Sequence, residues 1–185
     1  MKNEAFTLIE RLANLLRHEA RNAGQTLDLQ PVQHDALYYL SICNRYSDTP
    51  LAVAEFLGLT KGTVSQTLKV LEGRRLISKE KDTNDKRIVH LSLTAAGEQY
   101  IENALPPVNF LDALETVTAK KQDDLVKQLK HLLNAYQTTS GRTGFGVCQQ
   151  CQHNQSQDGQ FICGLTNDPL SIEDTALICR EFATA

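Results

Sequence analysis

Apolar residues recur every three or four positions at the start of the chain: Phe6, Ile9, Leu12, Leu15 and Leu16, with Glu10, Arg17 and Arg21 elsewhere around the wheel. This period predicts an amphipathic helix over residues 3–23, ended at Gly24. A second helix is predicted after Pro31, with Leu37, Leu40 and Cys43 about one turn apart. Thr49-Pro50 places a capping hydroxyl before a proline at the first helical position, so a short helix starts there and stops at Gly58. Thr60 caps the next helix, which runs to about Glu72 and turns Val64, Leu68 and Leu71 toward a core. Two short helices joined by a tight turn containing glycine make a helix-turn-helix pattern.

From residue 76 the period changes to two. Arms at 76–81 and 87–93, separated by "DTNDK", predict a hairpin with Ile88, His90 and Ser92 on one face and Val89, Leu91 and Leu93 on the other. Thr94 caps a helix over "AAGEQYIENAL", and Pro106-Pro107 breaks or kinks that helix, because proline removes a backbone donor and clashes one turn back. A last long helix over about 119–137 carries Leu125, Leu129, Leu132, Leu133 and Tyr136 on one stripe. "TTSGRTGFG" reads as a linker. The expected fold class is mainly α with a small β wing: a winged helix-turn-helix over about 32–97 inside a first domain of residues 1–140. A small cysteine-rich module over 141–185 comes after it.

Charge sharpens this picture. The net charge of the 185 residues is −3, but residues 50–97 hold eight Lys/Arg against five acids, and residues 141–185 hold two against five. A positive middle and a negative tail coexist, and only the local value matters for an anionic partner. Lys61, Thr63, Ser65, Gln66 and Lys69 lie toward the start of the second helix of the pair, as short polar or basic side chains suited to a DNA major groove. Lys86 and Arg87 sit at the hairpin tip, within reach of a phosphate backbone or a narrow minor groove.

The segment "DKRIVHLSLTAAG", residues 85–97, fits D-x-R-x-x-x-L-x-L-T-x-x-G through Asp85, Arg87, Leu91, Leu93, Thr94 and Gly97. It resembles the wing signature of the MarR family of bacterial transcription regulators, and "LAVAEFLGLTKGTVSQTLKVLEGRRLI" resembles that family's helix-turn-helix. The resemblance spans roughly residues 5–137 in element order. It implies a homodimer joined through the first and last helices (about 3–24 and 98–137), with one recognition helix per subunit in the major groove of double-stranded DNA. It also implies that Arg87 probes the minor groove and that Asp85 orients it. A small-molecule or redox effector is the expected signal. Pro106-Pro107 departs from the family's long connecting helix.

Four of the five cysteines crowd into the last fifth of the chain as C-x2-C-x11-C-x15-C: Cys148, Cys151, Cys163 and Cys179. No stretch approaches a membrane span, and the start lacks the apolar core of a secretory signal, so the expected location is cytoplasmic. In that reducing setting clustered cysteines predict metal or redox chemistry before disulfides. A tail of this size buries too little apolar surface to fold without a staple. Only the first pair is a knuckle of the kind zinc ribbons use twice. The pattern is loosely similar to the small domain of high-potential iron–sulfur proteins, and four thiolates suit an iron–sulfur cluster. An iron–sulfur cluster is therefore favoured as cofactor, with Zn next and a metal-free thiol switch or disordered tail after it. His153 could replace a cysteine as ligand, and Cys43 reads as a small buried hydrophobe. Ser171 and Asp174 approximate a capping box for a short helix in the tail.

No Ser/His/Asp arrangement, glycine-rich phosphate loop or suggestive carboxylate pair is present, and an enzyme is not expected. Two rivals to the redox- or metal-responsive regulator stay open at this point. One is a regulator answering a small ligand, its zinc tail purely structural. The other is an electron-transfer or catalytic iron–sulfur protein whose helix-turn-helix makes protein contacts.

Overall fold

Burial of one helical stripe after another builds the centre of the chain, seen here in a computed structural model that describes residues 3–24, 27–141, 144–157 and 159–183. Helices α1 (Glu4–Gly24), α2 (Pro31–Ile42), α3 (Pro50–Leu57) and α4 (Lys61–Gly73) lead into the hairpin β1 (Ile77–Lys81) and β2 (Val89–Leu93). Then come α5 (Ala95–Ala104), α6 (Val108–Glu115) and α7 (Ala119–Thr139). Leu37 and Tyr39 from α2, Val53 from α3, and Val64, Leu68 and Leu71 from α4 are fully buried together. Ile77 and Leu91 from the hairpin and Tyr100 from α5 close the same core. The Tyr39 hydroxyl, carried inside with its ring, donates to the Ser47 carbonyl at 2.6 Å.

The expected caps are in place. The Thr49 hydroxyl accepts from the Ala52 amide, and the Thr60 hydroxyl from the Thr63 amide. Each such cap is worth about 1 kcal/mol. The hairpin is antiparallel with Ile77 opposite Leu93 and Lys81 opposite Val89. Each strand begins slightly later than its alternation suggested. At the turn Asp82 bends the chain: its carboxylate accepts from the amides of Asn84 and Asp85, both at 2.7 Å. The signature residues downstream have structural reasons. Leu91 is buried, Thr94 caps α5 through the Gly97 amide, and a Cβ on Gly97 would lie 2.2 Å from the Leu76 carbonyl oxygen.

The diproline ends α5 at Ala104, as its chemistry requires, but the chain then restarts as α6, an eight-residue helix that the apolar pattern did not predict. Pro107 is its cap residue, where the missing amide costs nothing. Helices α1, α6 and α7 keep their large apolar side chains exposed, and neither α6 nor α7 buries any residue.

The tail forms two small antiparallel sheets. One pairs β3 (Gly146–Val147) with β7 (Ile178–Cys179); the other orders β4 (Asn154–Gln157), β5 (Gln160–Cys163) and β6 (Pro169–Leu170). Between β6 and β7 lies α8 (Ile172–Ala176), with the Ser171–Asp174 capping box formed in both directions. The linker reading of "TTSGRTGFG" needs correction. Helix α7 continues to Thr139, Arg142 and Thr143 lie outside the described residues, and Gly144–Gly146 are packed structure. Gly144 has φ +94°, and a Cβ there would meet the Arg180 carbonyl oxygen at 2.0 Å. Phe145 stacks edge-on against Tyr39 and Phe56 of the main core rather than within the tail.

This docking sets where the tail lies. By chain order it comes after α7, which touches it through the Gln137 amide donating to the Gly144 carbonyl at 3.2 Å. Its other anchors go to the turn between α2 and α3 and to α3 itself. The Asn44 amide donates to the Ile178 carbonyl at 2.9 Å, and the Arg180 amide to the Ser47 hydroxyl at 2.8 Å. The Arg180 guanidinium forks onto the Glu55 carboxylate, and Arg45 donates to the Pro169 carbonyl. Tyr46 donates to Asp168 at 3.2 Å.

Candidate functional site

Helix α4 faces two ways. With Val64, Thr67, Leu68 and Leu71 buried, Lys61, Thr63, Ser65, Gln66 and Lys69 are all left exposed. The Thr63 hydroxyl is partly committed, 2.9 Å from the Thr60 hydroxyl in the cap. Beside this face the hairpin tip carries Lys86 and Arg87, both exposed. Asp85 grips Arg87: Nε to Oδ1 is 2.9 Å, Nη2 to Oδ2 is 2.7 Å, and the Arg87 amide also donates to Oδ1 at 3.0 Å. The pairing holds the Asp85 carboxyl below its ordinary range and the guanidinium above its own. The arrangement fixes a planar, permanently charged fork at the end of the wing.

Two histidines are built into the fold. His34 Nδ1 lies 2.8 Å from the Tyr100 hydroxyl inside the core, and burial lowers its pKa. His90 joins the wing to the α2–α3 turn: Nδ1 is 2.6 Å from Asp48 Oδ1 and Nε2 is 3.2 Å from Asp82 Oδ2. The bond to Asp48 raises the His90 pKa, with Asp82 adding to it, so the ring sits between two carboxylates that favour its charged form. The adjacent Leu91 amide donates to the Asp48 carbonyl at 2.8 Å. Asp48, Asp82 and His90 line one open groove with Lys61 and Ser65 of α4, Arg87 of the wing, and Asp168, Pro169 and Arg180 of the tail.

The four tail cysteines come together. Cys148 opens a single 3-10 turn after β3, Cys151 ends that turn, and Cys163 and Cys179 end β5 and β7. All four line one small cavity of about 20 Å³, with Asn44 and Tyr46 entering from the α2–α3 turn. His153 and Asn154 line it as well. Among the described residues, no three His, Cys, Asp or Glu side chains close on a point as a single ion requires. Donors point at the sulfurs: Asn154 Nδ2 is 3.7 Å from Cys148 Sγ, and the Ala183 amide is 3.5 Å from Cys151 Sγ. Burial pushes the Cys148 thiol up to about 11; Asn154 draws it down and the other three cysteines push it further up. Burial also raises Cys179, against donors from the Glu181 backbone and the Asn44 and Ser47 side chains. Cys43 stands apart from the cavity, buried, its thiol raised to about 12 by desolvation, as a small hydrophobe should be.

Sequence reasoning did not find Asn44 as a cavity residue or the Asp48–His90–Asp82 clamp. Both depend on contacts across the fold, and neither leaves a local pattern.

A model described as MarR family matches residues 27–88. The transcriptional regulator HosA of Escherichia coli O157:H7 is 28% identical over 136 residues, which cover 72% of this chain and 98% of HosA. Among solved structures, the DNA complex of Staphylococcus aureus MepR superposes with a TM-score of 0.58 at 20% identity, covering 73% of this chain and 97% of that one. The apo form of Escherichia coli MarR does so at 0.54 and 21%, covering 72% and 99%. These structures share the fold. No helix among the described residues is long and apolar enough to cross a membrane. The uncharacterized HTH-type regulator YdcH of Bacillus subtilis is 36% identical over 118 residues, 61% of this chain and 80% of YdcH. Its relatives being transcriptional regulators rather than enzymes, and its helix-turn-helix, wing and signature falling where the family's do, the chain belongs to the MarR family.

Proposed function

We propose that this protein regulates transcription by binding a pseudo-palindromic operator as a homodimer. The observation that carries this reading is the exposed polar face of α4 beside a wing whose Arg87 is oriented by Asp85. The α4 side chains read base edges in the major groove, Lys86 and the amides at the start of α4 hold phosphates, and Arg87 enters the minor groove. Fifteen large apolar side chains on α1, α6 and α7 stay exposed in the single chain, among them Phe6, Leu12, Phe110, Leu129 and Leu133. At roughly 1.5–3 kcal/mol for each one fully buried, a second copy is their natural cover. Such a dimer sets its two recognition helices about one turn of DNA apart, ~34–36 Å.

The test is a salt titration of binding to DNA from upstream of the protein's own gene. Affinity must fall steeply as salt rises, because each phosphate contact releases counterions. Arg87→Ala should weaken binding by about 1–3 kcal/mol, while Arg87→Lys, which loses the fork, recovers only part of it. Salt-independent affinity, or binding untouched by Arg87→Ala, sinks the assignment.

The cysteine cavity is read as a metal centre, iron–sulfur or zinc, whose state biases the DNA-binding form. Its support is the convergence of four thiols and their donors on one space. Such an effector acts only if it binds the two forms of the regulator differently.

A further inference from the structure

Carboxylates and one imidazole run in series from the base of the wing to its tip. His90 on β2 lies between Asp48 of the α2–α3 turn and Asp82 of the hairpin turn, with Nδ1 2.6 Å from Asp48 Oδ1 and Nε2 3.2 Å from Asp82 Oδ2. The other oxygen of Asp82 accepts from the Asn84 and Asp85 amides, each at 2.7 Å, and so fixes the turn. Asp85 then takes Arg87 by its amide, its Nε and its Nη2. At the base, the Asp48 carbonyl accepts from the Leu91 amide at 2.8 Å, which ties Asp48 to β2.

Both ring nitrogens of His90 face a carboxylate oxygen, and only one protonation state suits that. A neutral imidazole donates from one nitrogen and presents a lone pair at the other. An imidazolium donates from both. The charged ring therefore satisfies Asp48 and Asp82 together, and the neutral ring satisfies one and repels the other. Asp48 is the partner retained, because its contact is shorter and its side chain better covered, at 17% exposure against 26% for Asp82. Loss of the proton thus turns a lone pair toward Asp82, the residue that fixes the wing turn. Charged neighbours of both signs surround the ring. Asp48 and Asp82 touch it, and Glu80 is its register partner on β1. Arg45, Lys61, Lys79, Lys81, Arg87, Asp168 and Arg180 line the same groove. The contacting carboxylates prevail, Asp48 first, and hold the ring's pKa above 6.5.

We propose that His90, as the imidazolium, is a positioning residue for DNA binding: through Asp82 and the wing turn it sets the place of Arg87, and loss of its proton weakens DNA binding by releasing that turn. This rests on the reading of Arg87 as a DNA contact given above. His90 itself touches no DNA; it acts through two carboxylates and the turn amides between them. Linkage makes the effect reciprocal, so DNA binding also favours proton uptake at His90.

The test is affinity against pH for the full chain, native, His90→Gln and Arg87→Ala, at constant low salt on the upstream duplex used for the salt titration. The native protein should lose about fivefold or more between about pH 6 and about pH 9, the lower end of what one base-reading arginine contributes. His90→Gln should bind near the native alkaline level throughout. Arg87→Ala should lose most of the pH dependence, because the side chain that the proton places is gone. A merely structural His90 weakens binding in His90→Gln but leaves the native slope, which overturns its role. A native slope kept in Arg87→Ala overturns the route through the wing tip. An Arg87→Ala protein that binds as tightly as the native one at every pH strikes the DNA-face reading instead. Should His90→Gln fail to fold, Asp82→Asn decides. It keeps an oxygen for the two turn amides and offers an N–H to the neutral ring, so binding should persist at alkaline pH where the native protein loses it. An Asp82→Asn profile that falls as the native one does overturns the proposal.

Discussion

The winged-helix lobe and the cysteine tail solve the same problem by different physics. The lobe buries a continuous cluster of seventeen described residues, nearly all aliphatic or aromatic, drawn mainly from α2 to α5. The tail's own cluster has three, Cys148, Leu170 and Cys179, and two of those are thiols. Apolar burial of roughly 25 cal/mol per Å² suffices for the first and not for the second. The tail is held by the surface it docks on and, in the function proposed above, by a metal among its sulfurs. The lesson is that a segment's place along the chain says little about its mechanical partner: the tail comes after α7 yet is anchored on the α2–α3 turn.

The comparison breaks most visibly if the tail's centre is removed. Cys151→Ser, or chelation of the native protein, should abolish amide-exchange protection across residues 144–183 and leave the α2–α5 core protected. Mass-spectrometric hydrogen exchange reads both regions at once. A tail that stays protected without metal would falsify the staple. The converse test is Leu71→Ala, at a fully buried position. It should cost about 2–5 kcal/mol in urea unfolding and take the tail's docking with it, since the tail leans on the lobe. A smaller effect sharpens the contrast. Thr60→Ala removes the α4 cap and should lower lobe stability by about 1 kcal/mol with no change in metal content.

The smallest effect is the pH response of the wing. His90 has a folded pKa above its ordinary 6.5, so its clamp is fully present below pH 6.5 and is lost as pH rises through the raised value. Exchange protection of β1 and β2 should therefore weaken from neutral toward alkaline pH. In His90→Gln that dependence should flatten, while the tail's protection stays the same in both proteins. A wing equally protected on both sides of neutrality removes the clamp.

Local chemistry made most of the lobe legible. Helix periods, the Thr49 and Thr60 caps, the glycine after α3 and the alternation of 76–93 each specify their own conformation, because capping, helical periodicity and strand pleating act over a few residues. The α4 face was readable for the same reason: burying Val64, Leu68 and Leu71 dictates that Lys61, Ser65, Gln66 and Lys69 point outward. Helix α6 escaped notice because eight residues after a diproline carry too few turns for a period to show. The reading of 138–146 as a linker failed because glycines that allow close backbone packing look the same in sequence as glycines that allow freedom.

For the cysteines, number and spacing along the chain implied a common centre but not its surroundings. Residue types and short-range spacing, by themselves, established a winged-helix regulator with a polar reading helix, a basic wing and a thiol-rich tail. Three-dimensional packing supplied the rest: that Phe145 and Arg180 seat the tail on the DNA-reading lobe, that His90 closes on Asp48 and Asp82, and that Asn44 lines the cysteine cavity from the α2–α3 turn. The Asp48–His90 contact joins residues 42 positions apart and the Ser47–Arg180 contact residues 133 apart, and no local propensity encodes either. They exist because each element must bury its remaining apolar and polar surface against whatever the folded core leaves open.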